Sequence, residues 1–111
     1  FKRKVAELEI DLTALEYTEL RTLAAESAGK GPGPESSVLK IKGTEIQQAL
    51  TELSMQVQGP MAQAFKPIAY EGFDEFGASQ AARYFNFRKT SIYAGSNEIQ
   101  RNIFSKMALG L

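Results

Sequence analysis

The sequence predicts an all-α fold, a four-helix antiparallel bundle. Apolar residues recur at helical spacing in four segments, Gly and Pro interrupt the chain between them, and no segment alternates convincingly like a strand. With 111 residues the chain has room for one domain, which we take to span residues 1–111. Apolar residues at 43% and charged residues at 23% are typical of a globular protein.

The first helix is predicted from Lys2 to about Ala28. Two neighbouring apolar stripes run along it, so we expect it to pack against more than one neighbour; they comprise Val5, Leu8, Leu12 and Leu15, then Ala6, Ile10, Tyr17, Leu20 and Ala24. The Gly- and Pro-rich residues 29–34 end the helix. A phosphate-binding loop would need the GxxxxGK[ST] pattern after a strand, so a plain interhelical loop is favoured.

The second helix is predicted to begin at a capping Ser36 or Ser37 and to end at Gln58, where Gly59-Pro60 stops it. Gly43 allows another helix to approach closely. We expect the buried face to consist of Leu39, Ile46, Leu50, Leu53 and Val57.

Residues 61–76 show no sustained period and are predicted to be irregular. A third helix is predicted over residues 78–89, and residues 90–95 break the pattern. The last helix is predicted to begin near Ser96 and to end at Gly110, and Ile99, Ile103, Phe104 and Met107 supply its apolar side.

Composition excludes several classes of function. Thirteen Lys and Arg balance thirteen Asp and Glu, which gives no electrostatic reason to expect nucleic acid or an anionic membrane as partner. The absence of Cys and His removes thiolate chemistry, the commonest general base and the commonest metal ligand, so no metal site is expected. No apolar run approaches the ~20 residues that cross a bilayer, and we expect no membrane insertion. Chemistry here must use carboxylates, Lys, Tyr, backbone dipoles or a cofactor.

The C-terminal residues carry a more specific signal. Residues 92–103, IYAGSNEIQRNI, resemble the signature near the C-terminus of acyl-CoA dehydrogenases, and residues 104–111 are similar to the usual family ending. Residues 6–10 and 34–40 resemble the first two helices of that family's C-terminal domain. The resemblance covers the whole chain and implies the C-terminal helical domain of a longer subunit. Within the family, the chain is similar to bacterial large subunits of the pimeloyl-CoA dehydrogenase type.

The resemblance implies a reaction and a set of partners. Family members remove the α and β hydrogens of an acyl-CoA thioester: a carboxylate takes the α proton, and the β hydrogen leaves as hydride to FAD. We therefore expect an acyl-CoA substrate, an acceptor such as an electron-transferring flavoprotein, other subunits of the same family and a cytoplasmic location. The isolated chain, which lacks the remaining domains of such a subunit, is expected to be inactive.

The position of the catalytic base departs from the family pattern. Many family members have the catalytic Glu between the residues that match Tyr93 and Gly95, and this chain has Ala94 there. No catalytic side chain is therefore assigned here, although the backbone N–H of Ala94 is a candidate donor to the thioester carbonyl. Three alternatives remain open: a base on an earlier helix of the same subunit, a base on a different subunit, or a protein that does not dehydrogenate.

The resemblance also implies binding residues. Gly95 matches a position against the substrate, and a simple turn glycine is the alternative. Ser96, Asn97 and Glu98 match residues that contact FAD, although Ser96 is also a good helix cap. Glu98 is not expected to act as a base, because an acid in the first turn suits the helix dipole and Arg101 is placed to pair with it.

A second candidate cofactor contact lies in the middle of the chain. Gln56 and Gly59 resemble the family's Gln-x-x-Gly-Gly-x-Gly loop, which touches the FAD of a neighbouring subunit, although two of the three glycines are absent here. Ordinary helix-end residues are the alternative for both.

Two other functions compete with a dehydrogenase. One is a non-enzymatic helical module that binds or oligomerises through an apolar face. The other is an acyl-CoA oxidase, which would share the fold and the flavin.

Overall fold

All regular secondary structure in the part of the chain that the structure describes is helical. The computed structural model describes residues 1–63 and 75–111, with side chains except at Met61 and residues 75–78. Its α-helices are α1 (Lys2–Ser27), α2 (Glu35–Gln58), α3 (Glu75–Phe87) and α4 (Asn97–Leu109), and 3₁₀ segments cover Pro60–Gln63 and Arg88–Ser91. These residues contain no strand, so the predicted all-α class with four helices is confirmed.

The chain divides into two compact units. Residues 1–46 and 91–111 form the first, which holds α1, the beginning of α2, and α4. Residues 47–90 form the second, which holds the end of α2, the Pro60–Gln63 segment and α3. The two sets of predicted site residues, 94–98 and 56–59, therefore belong to different units.

Helix α1 follows the predicted bounds but leaves its apolar stripes exposed. It ends at Ser27 with Ala28 as its C-cap, and Gly29 then adopts a φ of +83°, which favours glycine. None of its residues is buried among the described parts of the chain; the large exposed apolar residues are Ile10, Leu12, Tyr17, Leu20 and Leu23. Leu15 does lie beside Gly43 of α2, 3.9 Å from the position that a Cβ there would occupy. The described chain therefore does not supply the several neighbours expected for this helix.

Helix α2 begins earlier than predicted, and neither serine caps it. Its first residue is Glu35, and the N–H groups of Ser36 and Ser37 donate to the carbonyls of Gly33 and Pro34. Ser37 is buried, with 4% of its surface exposed, and its hydroxyl donates to the side chain of Gln100 at 2.9 Å. The capping prediction is wrong because the helix already begins at Glu35, which places both serines in its first turn, and a tertiary partner takes the Ser37 hydroxyl. The predicted end at Gln58 is confirmed, and Gly59 follows at a φ of +72°.

The buried face of α2 is also more polar than predicted. Ile46 is buried, but Leu50 and Val57 are 47% and 60% exposed. Two threonines are buried instead, Thr44 and Thr51. Their hydroxyls donate to the carbonyls of Ile41 and Gln48 within the same helix, and this back-bonding makes their burial inexpensive.

Helix α3 and the preceding segment differ from the predicted boundaries. The helix runs over Glu75–Phe87 rather than residues 78–89, so the predicted irregular stretch is helical at its end, while residues 64–74 lie outside the described ranges. The Gln48 side chain explains the early end: its amide donates to the carbonyls of Phe87 and Arg88 and to the hydroxyl of Thr90. A helix terminus leaves such carbonyls without intrahelical partners, and Gln48 satisfies them.

Helix α4 matches its predicted limits. Ser96 is the N-cap, its hydroxyl accepting the N–H of Ile99 at 3.3 Å, and Gly110 ends the helix at a φ of +69°. Ile99 and Met107 are each 53% exposed, whereas Phe104 is half-buried. The i, i+4 apolar series therefore faces away from the described core.

Candidate functional site

A left-handed bend immediately precedes α4. Ala94 and Gly95 adopt φ values of +56° and +79°, and Ala94 is a non-glycine residue with a positive φ. For an alanine this conformation costs roughly 1–2 kcal/mol relative to an ordinary backbone. Such strain persists only where surrounding interactions fix the conformation, and it is found preferentially at functional sites.

Gly95 is required by both its conformation and its surroundings. Its φ lies in the region that side chains rarely adopt, and a Cβ at this position would stand 2.8 Å from Nε2 of Gln100. The nearby Gln100 amide thus gives Gly95 a reason to be glycine within the chain itself. Contact with a substrate is a separate prediction.

The bend offers the backbone N–H groups of Ala94 and Gly95 as donors, while the carbonyl of Ala94 is bonded to a side chain of α4. Nε2 of Gln100 donates to the carbonyl of Ala94 at 3.1 Å. No acceptor within residues 1–63 or 75–111 takes the N–H of Ala94 or of Gly95. The two N–H groups lie next to the N-terminus of α4, whose partial positive charge favours an oxyanion or a polarised carbonyl.

Ser96 and Glu98 organise the first turn of α4. The pKa of the Glu98 carboxyl is lowered, first by its own backbone N–H and next by the Ser96 hydroxyl; desolvation opposes this shift, and the charges of Arg101 and Lys40 add smaller lowering contributions. Glu98 is exposed and ionised, and a carboxylate with a lowered pKa is a weak base. Arg101 forms its ion pair with Glu45, at 3.3 Å, rather than with Glu98 as predicted.

Asn97 faces inward, where α2 holds it. Only 6% of its surface is exposed; its Oδ1 accepts from Nζ of Lys40 at 2.8 Å, and its Nδ2 donates to the hydroxyl of Thr44 at 3.1 Å. Both the oxygen and the nitrogen of this buried side chain have partners on α2, so the side chain is held against that helix. A cofactor contact at this residue would therefore use the backbone N–H.

The sequence analysis missed the α2 residues that support the bend. Ser37, Lys40 and Thr44 lie at i, i+3 and i+7 on α2, and they bond to Gln100 and Asn97 of α4. The spacing places the three polar side chains on one face of the helix. This polar stripe was the signal in the sequence that could have identified them. The buried face of α2 was instead assigned from the apolar residues around it.

Gln56 and Gly59 line a cleft in the second unit. Its volume is about 700 Å³, and one side carries the aromatic pair Tyr84 and Phe85, whose ring centroids are 5.6 Å apart. Glu52, Met55, Pro60 and Gln63 complete the lining. Gly59 has a φ of +72°, and no described atom lies within 4 Å of the position that a Cβ would occupy. The backbone conformation therefore favours glycine here, and crowding by described residues does not contribute.

The backbone N–H donors of the Ala94 and Gly95 bend suit the binding and polarisation of an acceptor oxygen, and residue 94 supplies no proton acceptor. The Ala94 side chain is a methyl group, and Glu98 is held in its ionised form by hydrogen bonds. Among the described residues there is no group of three Asp or Glu arranged to hold a metal ion. None of the helices in those residues is long and apolar enough to cross a membrane.

Comparison with known proteins bears on these residues. The family model described as "Acyl-CoA dehydrogenase, C-terminal domain" matches residues 1–109. The chain is similar to a protein of Mycolicibacterium smegmatis named "Acyl-CoA dehydrogenase IpdE1", with 34% identity over 100 residues. That alignment covers 90% of this chain and 22% of the relative, so the chain spans about a fifth of the relative's length. No solved structure matches the chain significantly.

Proposed function

Because the chain belongs to the family of acyl-CoA dehydrogenase C-terminal domains, we propose that it is the C-terminal helical domain of a longer FAD-dependent enzyme. In that enzyme it contributes one wall of the site where an acyl-CoA thioester undergoes α,β-dehydrogenation. The bend at Ala94 and Gly95 carries this proposal, because it combines a left-handed backbone, a helix N-terminus and N–H donors that have no acceptor within residues 1–63 or 75–111.

The donors of the bend fit the acceptors that the substrate and cofactor offer. A thioester and a flavin both present carbonyl oxygens, and oriented N–H groups stabilise negative charge that develops on such an oxygen. FAD, when bound, supplies the hydride acceptor. The Ala94 N–H polarises the thioester carbonyl, Gly95 lets the backbone approach the substrate, and Ser96, Asn97 and Glu98 contact FAD, Asn97 through its backbone.

Ala94 makes the source of the base the open chemical question of the proposal. A methyl group accepts no proton, and the lowered pKa of Glu98 makes its carboxylate a poor substitute. We propose that the base comes from an earlier helix of the same subunit or from a different subunit of a heteromeric enzyme. The isolated chain is then inactive.

Gln56 and Gly59 serve a second contact in this proposal. Their cleft combines an amide side chain, a glycine bend and an aromatic wall, which suits the polar and planar parts of a dinucleotide. The family's loop that these residues resemble contacts the FAD of a neighbouring subunit, and we propose the same contact here.

The remaining partners follow from the same reaction. The electrons removed from the substrate would pass to an electron-transferring flavoprotein in a dehydrogenase, or to oxygen in an oxidase. A cytoplasmic location and assembly with other subunits of the family complete the proposal.

The exposed apolar side chains favour a second candidate function. Ile10, Tyr17 and Leu20 of α1, together with Ile99 and Met107 of α4, are more than half exposed. An interaction module that binds or oligomerises through these faces, without chemistry, would account for them. An interaction module of this kind does not account for the positive φ of Ala94.

The first test uses the longer protein that contains this domain. Purified with added FAD, it should be yellow, and it should reduce an artificial electron acceptor with some member of an acyl-CoA panel, alone or with the product of an adjacent homologous gene. A colourless protein would favour the interaction module.

Substitutions at Ala94 test the missing base. Ala94→Glu places a carboxylate at the family's usual position, and Ala94→Gln gives a side chain of the same size without a base. If the bend lies against the substrate as proposed, Ala94→Glu should retain turnover when the base on the earlier helix or on the other subunit is removed. Ala94→Gln should lose turnover under the same condition. Equal turnover by the two variants would refute the role of this position.

A further inference from the structure

The carbonyl of Ala94 is held by a chain of hydrogen bonds that starts on α2. The buried Ser37 hydroxyl donates to Oε1 of Gln100 at 2.9 Å, and Nε2 of Gln100 donates to the Ala94 carbonyl at 3.1 Å. An Ala94 carbonyl can only accept, so Nε2 must face the bend and Oε1 must face Ser37. Residues that are 63 positions apart in the chain are thereby linked.

This chain of bonds sets the direction of one backbone donor. The chain contains no cis peptide bond among its described residues, and in a trans peptide the C=O and the following N–H point in opposite directions. With the Ala94 carbonyl pointing at Gln100, the Gly95 N–H points away from Gln100. The space beside Gly95 is filled by the same amide, 2.8 Å from where a Cβ would stand.

We propose that Gln100, fixed by Ser37, is a positioning residue that aims the Gly95 N–H at an acceptor oxygen in the site. The acceptor is a carbonyl oxygen of either the thioester or the flavin. The proposal rests on the proposed function, because it requires that a ligand carbonyl lie beyond the bend.

A separate cluster of hydrogen bonds holds the start of α4, so the orientation of the Gly95 N–H and the support of the helix can be tested separately. The start of α4 is fixed by the Ser96 cap and by Asn97, whose side chain bonds to Lys40 and Thr44. Replacing Gln100 leaves all these bonds in place. It should therefore release the peptide between Ala94 and Gly95 without unwinding α4.

The test uses the full-length protein loaded with FAD. Gln100→Met removes both amide bonds at similar length, and Gln100→Glu keeps an acceptor for Ser37 but places an oxygen against the Ala94 carbonyl. Ser37→Ala removes a single hydroxyl and is the variant least able to disturb folding. Gln47→Met is the matched control, because Gln47 is an exposed glutamine of α2 whose side chain makes no hydrogen bond to a described residue.

Three measurements separate the possible acceptors: the FAD dissociation constant from flavin fluorescence, kcat and KM. For Gln100→Met we expect a change of about tenfold, the worth of one well-made hydrogen bond. A rise in the FAD dissociation constant indicates a flavin acceptor, and a fall in kcat with unchanged FAD affinity indicates the thioester. Gln100→Glu should be no better than Gln100→Met, and Gln47→Met should match the wild type.

Ser37 should act only through Gln100. Ser37→Ala should produce a smaller loss, and the Ser37→Ala/Gln100→Met double variant should be no worse than Gln100→Met alone. Multiplicative losses, a fully functional Gln100→Glu, or unchanged FAD affinity, kcat and KM in Gln100→Met would each overturn the positioning role. A wild-type protein that neither binds FAD nor turns over acyl-CoA would instead overturn the proposed function on which this role rests.

Discussion

Replacing Gly95 by Ala should destabilise the chain more than the same replacement at Gly29 or Gly31, for two separable reasons. The first is the backbone: at a φ of +79°, alanine costs roughly 1 kcal/mol more than glycine. The second is space: the new Cβ would stand 2.8 Å from Nε2 of Gln100, which must move and release the Ala94 carbonyl, at about 1 kcal/mol. The expected total is about 2 kcal/mol in the free energy of unfolding.

Two other glycines provide matched controls for these terms. Gly29 has a φ of +83° and no atom within 4 Å of a built Cβ, so Gly29→Ala measures the backbone cost alone. Gly31 has neither a positive φ nor a close neighbour, so Gly31→Ala should be neutral or slightly stabilising. Ala94→Gly relieves a positive φ and should raise stability by about 0.5 kcal/mol.

Urea denaturation of the purified chain, followed by far-ultraviolet circular dichroism, measures all four variants. The expected order of stability is Ala94→Gly, wild type or Gly31→Ala, Gly29→Ala, and Gly95→Ala last. If Gly95→Ala costs no more than Gly29→Ala, the Gln100 contact contributes nothing and the reasoning about the bend is refuted.

Three further predictions concern the elements that support the bend. Asn97→Ala removes the acceptor of Lys40 and the donor to Thr44, and it should lower the free energy of unfolding, measured by urea titration, by about 2 kcal/mol. Asn102→Ala, at an exposed site of the same helix, should change it by less than about 0.5 kcal/mol. Similar losses in both variants would contradict the role of the buried cluster. Glu98→Gln should destabilise the chain at neutral pH, because a carboxyl whose folded pKa lies below its ordinary value of 4.5 stabilises the fold above that value. The difference in melting temperature between the variant and the wild type should disappear as the pH falls through the lowered pKa. A difference that persists in acid would point to another cause. Glu45→Ala breaks two exposed ion pairs, with Arg101 and with Lys42, and should cost under about 1 kcal/mol, a loss that 1 M salt should abolish. An undiminished loss in salt would mean that Glu45 acts through packing.

The parts of the fold that the sequence predicted are those that local chemistry determines. The Ser96 cap and the Gly110 terminus of α4 each depend on residues within one or two turns, and both are confirmed. The same holds for the stop at Gly59 after α2. Capping and positive-φ preferences are properties of a short segment, so they can be read without knowledge of the tertiary structure.

The errors arise where a distant residue decides between local options. Ser37 is a good helix cap in isolation, but Gln100 takes its hydroxyl and the residue is buried inside the first turn. The end of α3 is set by Gln48, about 40 positions earlier in the chain. In both cases the local preference was real, and a tertiary hydrogen bond overrode it.

The candidate site shows the same division. A glycine requirement at residue 95 and a weakly basic Glu98 could be predicted from turn chemistry and the helix dipole. The inward orientation of Asn97 and the link from Ser37 through Gln100 could not, because both depend on the register between α2 and α4. That register is a property of packing rather than of either helix.

The most direct test of the account is a structure of the full-length protein with FAD and a bound acyl-CoA. The account predicts that the N–H groups of Ala94 and Gly95 lie within hydrogen-bonding distance of carbonyl oxygens of the thioester or the flavin, with Gln100 still on the Ala94 carbonyl. A structure in which this bend faces solvent or an unrelated protein surface, away from both ligands, would contradict it.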